Sequence, residues 1–281
     1  MTCSRPLLVV TPTLGRSPWL HRTVTSVAAH AGQHTAHVLV APPYVVPSLS
    51  RRFPQCTVVV DSVARGVYPA INLGLAGAPD PQWQWFTWIN DDDELKPGFV
   101  RHLARALVHD GRRMDATWAY GQVQLSNGDA DDLGRLAVAR RPADILALAQ
   151  SGVNPLNQQG MLAPRAWVDR CGPLREDLAI CADVDFWLRA LVGGAKFRFD
   201  SETVALFRLR EGQISADVSR HREEFGQVVR ALSWHPRGAA ARWIARVRFR
   251  LGNAGVYAGR IQRCGWKGGF ALLEQPVRRS S

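Results

Sequence analysis

Short apolar runs recur along the first ninety residues, and their recurrence constrains the fold more than any other feature. PLLVVTPT (6–13) is continuous and Val-rich, AHVLVA (36–41) is stopped by Pro42 and Pro43, and CTVVVD (56–61) and WQWFTWI (83–89) follow. Runs this short, apolar at successive positions, read as strands covered on both faces. Helical segments separate them. GRSPWLHRTVTSVAAHA offers Ser17 as N-cap and Pro18 at the first helical position, and GVYPAINLGLAGA (66–78) reads as a short helix. Pro97 opens another helix to about Asp110, with Gly111 as its C-cap, before a fifth strand, ATWAYGQVQL (116–125). This alternation predicts an α/β chain with a parallel, doubly wound sheet, WQWFTWI near its centre, and ligands at the carboxyl ends of the strands.

The second half is less regular. NGDADDLGR (127–135) reads as a polar loop, Pro142 starts a short helix to about Gln150, and CADVDFWLRALVGG (181–194) is a helix closed by glycines. TVALFRL (203–209) is a strand, and helices follow over 215–234 and 238–252. In the last of these, Ala240, Trp243, Ile244, Val247 and Leu251 recur at helical spacing, with arginines on other faces.

Composition narrows the class. With 46% apolar and 21% charged residues, the chain is of ordinary globular type. It has no apolar run long enough to span a membrane, and its start lacks the pattern of a signal peptide, so a cytoplasmic protein is expected. Five cysteines, odd in number and without C-x-x-C spacing, argue against a disulfide framework or a zinc site. The net charge of +11 is unevenly placed: from Arg237 onward there are ten Lys/Arg and one acid, 10 − 1 = +9, leaving 11 − 9 = +2 for the rest. A tail so basic suggests an anionic partner.

WINDDDEL (88–95) sets four acids, Asp91, Asp92, Asp93 and Glu94, directly after the aromatic strand. A solvated turn is one reading. The other is a cation site, because Asn and short Asp side chains supply the hard oxygen ligands that suit Mg²⁺ or Mn²⁺, completed by a ligand's phosphates.

The segment RGVYPAINLGLAGAPDPQWQWFTWINDDDEL (65–95) resembles the central region of the family 2 glycosyltransferases with the GT-A fold, which reads G-I-Y-D-A-M-N-x-G-I and then a strand ending L-N-S-D-D. TPTLGR (11–16) resembles the family's P-T-Y-N-R turn. GPLREDLAICADVDFWLRALVGGAKF resembles its G-x-F-x-E-x-L and E-D-x-D-L-W-L-R segments, and ALFRLREGQIS its Y-R-x-H-x-G-S-x-S element. These elements lie in order over about 6–216. The resemblance implies a catalytic region over 1–216, with a nucleotide-sugar half to about 125 and an acceptor half from 126, and a basic helical extension over 217–281.

It also implies transfer of a sugar, with inversion, from a nucleotide diphosphate sugar donor to a glycan or lipid-linked acceptor, as in cell-surface polysaccharide or glycolipid synthesis. By motif position Asp92 is the metal ligand for a divalent cation, Mn²⁺ or Mg²⁺. Asp91 approaches the ribose or the metal's water shell, Asn90 replaces an Asp, and Asp93 and Glu94 serve the turn. Asp183 takes the general-base position, although Ala182 replaces the Glu before it. Asp185, with Arg189 at i+4, is a ready structural ion pair. Thr11, Pro12, Thr13 and Arg16 match the donor's base and ribose positions. The family's base-reading Asp after the second strand is replaced by Ala41-Pro42-Pro43, and Asp61, after the third strand, is the candidate substitute. For Arg65 and Asn72, contact with the donor and a role in holding the loop both remain open. So do phosphate binding and a solvated loop for Arg208, Arg210 and Ser215. Gln158 stands where the family has a His.

Three other readings compete with this one. A nucleotidyltransferase needs a Gly-rich basic loop that TPTLGRSP lacks. A nucleic-acid binder is disfavoured by charge confined to the tail. A degenerate, inactive member would account for Asn90 and Ala182. The helix around Trp243, with Arg242, Arg246, Arg248 and Arg250, either packs on the catalytic region or lies peripherally on the anionic inner face of a membrane, and the second is favoured.

Overall fold

The computed structural model describes residues 6–32, 35–128, 131–210, 212–231 and 237–263. Strand β1 (Leu7–Pro12) is buried at every position and pairs in parallel with both β2 (Thr35–Ala41) and β4 (Trp85–Trp88). β3 (Thr57–Val60) extends the parallel set beyond β2, and β8 (Ala163–Pro164) closes the other edge antiparallel to β4. The order is β3-β2-β1-β4-β8, so the aromatic strand is interior but β1 holds the centre.

Side-chain alternation explains why these strands are apolar throughout. Leu7 and Val9 point into a layer with Val27 of α1 (Leu20–Ala31) and Phe99 and Leu103 of α4 (Gly98–Leu107). Leu8 and Val10 point the other way, into a cluster with Ile71 of α3 (Val67–Ala76) and Trp187 of α7 (Ala182–Val192). Both faces of the sheet are therefore covered by helices.

The expected fifth strand belongs elsewhere. β6 (Trp118–Asn127) lies in a second sheet of order β5-β9-β6-β7, with β5 (Glu94–Leu95), β9 (Phe197–Leu209) and β7 (Asp131–Arg135). The place beside β4 is taken by β8, and β6 instead runs parallel to the 13-residue β9. Residues 131–135, read from sequence as loop, pair with β6. Helix starts and ends also shift. α1 begins at Leu20, three residues after Ser17, whose hydroxyl accepts the Trp19 N–H at 3.3 Å and donates to the Asp91 carbonyl at 2.7 Å. α4 ends at Leu107, short of the expected Asp110. Gly111 is instead a close-approach residue, since a Cβ there would sit 2.0 Å from the Gln84 carbonyl oxygen. The short helix expected from Pro142 is α5 (Ile145–Ala149), whereas polarity concealed α2 (Val46–Arg52) and α6 (Arg165–Cys171) from the sequence reading.

Helices α8 (Val218–Ala231) and α9 (Ala239–Gly252) follow β9. Phe225 and Val228 of α8 and Ala245 of α9 lie in the same buried cluster as residues of α3 and α7. Residues 232–236, at the expected end of the first helix, and 264–281, the last stretch of the basic tail, lie outside the described residues. Among the described residues no helix is long and apolar enough to cross a membrane.

Gly74 lets α3 approach the sheet. A Cβ there would lie 2.6 Å from a Val10 methyl and 2.9 Å from a Val40 methyl, and both strands are packed on their other side. Gly74→Ala gains about 1 kcal/mol of helix propensity but overpacks a two-sided core, which costs about 1–3 kcal/mol. Urea unfolding should show a net loss with an unchanged m-value.

Candidate active site

The carboxyl end of β4 runs into the acidic segment, and the fold disposes of its four acids one by one. Asp93 is fully buried: its Oδ1 accepts the Arg208 backbone N–H at 2.9 Å and its Oδ2 a Gln159 amide N–H at 3.2 Å. Burial and then the neighbouring Asp92 charge hold the Asp93 carboxyl well above the usual carboxylate range. Glu94 is not a turn residue. It lies in β5, where it pairs with Arg22 at 2.8 Å, with Lys96 at 3.8 Å and with the guanidinium of Arg208. Arg208, 1% exposed, donates to the carbonyls of Asp92 and Gly128 as well. It is a buried tie, so neither sequence reading of it, phosphate contact or solvated loop, holds.

Asp91 and Asp92 remain for the cleft, and both line it. Asp91 Oδ2 accepts the Thr13 hydroxyl at 2.6 Å; burial is the main cause that pushes its carboxyl up to about 6. The Asp92 carboxylate is met by the half-exposed guanidinium of Arg210, from just beyond β9. Asn90 also lines the cleft, and its buried Oδ1 has no hydrogen-bond partner. Hydroxyls on α1 and before it hold the backbone of this segment: Ser17 donates to the Asp91 carbonyl and Thr23 to the Asp93 carbonyl, each at 2.7 Å, while the Ser26 oxygen accepts the Leu95 N–H at 3.0 Å.

The facing wall is the start of α7. Asp183 lies in its first turn and lines the same cleft, an open space of about 220 Å³. Its Oδ1 accepts the Val184 N–H at 2.7 Å and lies 3.4 Å from the Tyr68 hydroxyl, which donates to the Ile180 carbonyl at 2.5 Å. Burial outweighs these contacts and pushes the Asp183 carboxyl up to about 7, with the nearby Glu224 charge adding to the shift. Asp185 points away from the cleft into an ion pair with Arg189 at 2.7 Å, with Arg175 at 3.9 Å. Glu224 of α8 accepts the backbone N–H groups of Ala179, Ile180 and Cys181 at 2.8–3.1 Å, and so fixes the turn that leads into α7. Burial opposes its ionisation, but these donors and Arg220 hold the Glu224 carboxyl low. His221, also on α8, reaches the cleft wall.

Of the remaining sequence candidates, Pro12 lines the cleft and Thr13 reaches it through Asp91. Thr11 does not: it is fully buried, 3.0 Å from His37 Nε2, because a side chain on a central parallel strand points into a helix layer. Arg16 is exposed and off the cleft. Asp61 is spent on a local turn, its Oδ1 accepting the Val63 and Ala64 N–H groups at 3.1 and 2.8 Å. Asn72 is structural: its amide exchanges two 2.9 Å hydrogen bonds with the Leu174 backbone, and Arg65 pairs at 3.4 Å with Glu176 in the same loop. Gln158 lines the cleft and donates to the Trp88 carbonyl. Ser215 falls in a short 3-10 turn at Ile214–Ala216. Tyr68, Glu224, His221 and the α1 hydroxyls escaped the sequence reading. A buried Thr23 and Ser26, three apart on an otherwise apolar helix face, were the available signal for the last.

Residues 8–136 match the family model for glycosyl transferase family 2. This region belongs to that family of enzymes. No curated protein matches the chain closely enough to count as a relative. Solved structures show the GT-A fold around it. Staphylococcus aureus TarS in complex with UDP-GlcNAc aligns at 12% identity and a TM-score of 0.58, over 95% of this chain and 80% of that one. A longer TarS structure is matched over 45% of its length, so this chain spans less than half of it. The mannosyltransferase PcManGT from Pyrobaculum calidifontis, in complex with GDP-Man and Mn²⁺, aligns at 15% identity and 0.59, over 98% and 77%. GalNAc-T7 with UDP, GalNAc and Mn²⁺ aligns at 13% and 0.58, over 91% and 58%.

The Glu224 clamp is testable by stability. Glu224→Ala orphans three backbone donors and should lower unfolding free energy by about 2–3 kcal/mol in urea at pH 7. Glu224→Gln keeps an acceptor and should lose less.

Proposed function

We propose that this glycosyltransferase moves a sugar from a nucleotide diphosphate sugar to an acceptor hydroxyl with inversion, assisted by a divalent cation. The acceptor is a glycan or lipid-linked intermediate of cell-surface polysaccharide or glycolipid synthesis, met at the inner face of a membrane. The observation that carries this reading is the placement of Asp91 and Asp92 on one wall of a cleft and Asp183 on the wall formed by α7.

The residues fit a cation that shares its shell with a diphosphate. Asn90 Oδ1 is buried and unpartnered beside two cleft carboxylates. Among the described residues no cluster of three or more His, Cys, Asp or Glu could hold an ion alone. Asp92 would hold it, with Asp91 beside it. Bound there, Mn²⁺ or Mg²⁺ supplies positive charge for the oxygens of the departing diphosphate. Arg210, already at Asp92 and half-exposed to the cleft, adds a second cation for the same oxygens.

Asp183 accepts the proton of the acceptor hydroxyl. The hydroxyl oxygen forms the new bond to the anomeric carbon as the old C–O bond breaks, and that bond's electrons leave with the nucleoside diphosphate. A base opposite the phosphate-binding wall suits attack from the face away from the leaving group, hence inversion. A carboxyl near 7 is both ionised enough to act and basic enough to take the proton. Pro12 and Thr13 remain as neighbours of the donor, whereas Thr11, Asp61 and Asn72 are engaged elsewhere in the structure and Arg16 lies off the cleft.

Calorimetry with UDP and GDP, each with and without Mn²⁺, tests the reading: one nucleotide should bind more tightly with the metal. Asp92→Ala should remove the metal-dependent part. Asp183→Asn should spare binding and cut sugar release from the matching donor by roughly 10²–10⁴-fold. Silence from both nucleotides would overturn the proposal.

Asp183 also makes a pH prediction. With its proton affinity raised, the native chain retains a proton that the unfolded chain loses above about pH 4. Stability from this group is thus present at low pH and lost as pH rises through about 7. Asp183→Asn should therefore stabilise the protein by roughly 1–3 kcal/mol at pH 8 and by little at pH 4, read from thermal melts.

A further inference from the structure

Helix α9 packs on the rest of the chain through one side only. Ala245 is buried, Phe249 is half-buried against the main core cluster, and Asn253, just past the helix, is fully buried. Asn253 brackets Val138, donating to its carbonyl at 3.0 Å and accepting its N–H at 3.2 Å, and Arg248 meets Asp144 at 3.5 Å. The apolar stripe expected from the sequence is not this face. Ala240, Trp243, Ile244, Val247 and Leu251 lie on the opposite side of the helix, with Trp243 66% and Leu251 71% exposed. Large apolar side chains clustered in water are costly, and such a patch marks a contact surface.

The charge around the stripe selects the partner. Residues 237–263 contain seven arginines and no Asp or Glu. Arg248 is tied to Asp144, Arg260 donates to the Arg135 carbonyl and Arg263 meets Asp132, all away from the stripe. Arg242, Arg246 and Arg250 make no ion pair among the described residues. A second copy would bring a second set of these arginines against the first, and like charges repel. The segment beyond 263 is itself basic, with Lys267, Arg278 and Arg279 against Glu274, and is equally ill-suited to cover the patch. An anionic bilayer satisfies both features, since apolar side chains, Trp above all, enter the interface while arginines meet headgroup phosphates.

We infer that the outward face of α9 is a docking surface for an anionic lipid bilayer. The same helix is bolted to the cleft. Asn253 grips Val138, Ala139 N–H donates to the Pro155 carbonyl at 2.8 Å, and the flanking Leu136, Asn154, Leu156 and Asn157 line the cleft. Docking through α9 thus sets the cleft's wall at a fixed position relative to the lipid surface. Resting on the glycosyl-transfer reading, this favours an acceptor carried on a lipid. The bilayer contact itself stands without that reading.

Vesicle flotation tests the contact. The full chain should co-float with vesicles containing phosphatidylglycerol at low salt, and at least about ten-fold less with pure phosphatidylcholine or at high salt. W243E/L251E and R246E/R250E should each lose about ten-fold or more of that partition while keeping the wild-type melting temperature, because all four positions are exposed. Nucleotide binding should be unchanged in both variants, which separates failure here from failure of the proposed reaction. Wild-type protein that floats with neither vesicle, or equally with both, overturns the inference. So do variants that float like wild type, and so does a concentration-dependent dimer in light scattering that W243E/L251E abolishes without any vesicle binding.

Discussion

Arg208 is the tie on which the architecture of the cleft depends. Four consecutive acids at the end of an interior strand repel one another, and burying any of them unpaired would be prohibitive. One guanidinium, almost wholly buried, meets Glu94 and donates to the carbonyls of Asp92 and Gly128, while its backbone N–H serves Asp93. It belongs to β9, whose partner β5 contains Glu94, so sheet pairing and charge compensation reinforce each other. With Asp93 and Glu94 satisfied internally, Asp91 and Asp92 are left facing the cleft. A charge tie of this kind contributes modestly to net stability but is severe to break, because the partner left behind remains buried. Its use here is to decide which carboxylates are left to line the cleft.

The sheet was legible because its signal is local. Val-rich runs bounded by prolines and glycines can hardly form anything but covered strands, and β1 to β4 fall where the runs lie. The second sheet was not, because β6 and β9 are separated by some seventy residues and nothing local marks their pairing. The site divided in the same way. Asp91 and Asp92 stood out by their place after a strand, and Asp183 by its place in a segment that resembles the family's base motif. Thr11 and Asn72 sat in matching motif positions, yet their side chains are used for packing, a matter of which way a residue points rather than what it is. Glu224 could not be found at all from sequence, since a carboxylate one turn from an arginine on a helix reads as a surface pair.

The cleft's two walls differ in how they are held. The β4 side is braced by hydroxyls of the α1 region and by the tie at Arg208, short and largely buried links. The α7 side hangs on one carboxylate from α8, on Tyr68 and on the Asn72 grip of the loop before it. The polar links on one wall thus gather around the acids, and those on the other are long-range bonds to the loop before α7, whose helix is itself packed in the core. That asymmetry is what a site requires if one half binds a compact charged group and the other must adapt to an incoming partner.

The Glu224 clamp has a consequence for how the molecule is made. Its carboxylate reaches back more than forty positions to the amides before α7, and Phe225 and Val228 seal the same core. A nascent chain emerging from the ribosome can pair β1 with β2 and β4 early, and Tyr68 and Asn72 can engage the loop before α7, but the amides of Ala179, Ile180 and Cys181 lack their acceptor until α8 has been synthesised. The cleft is therefore completed late in biogenesis, and a chain that stalls near residue 216 would present a formed sheet with the loop before α7 unclamped.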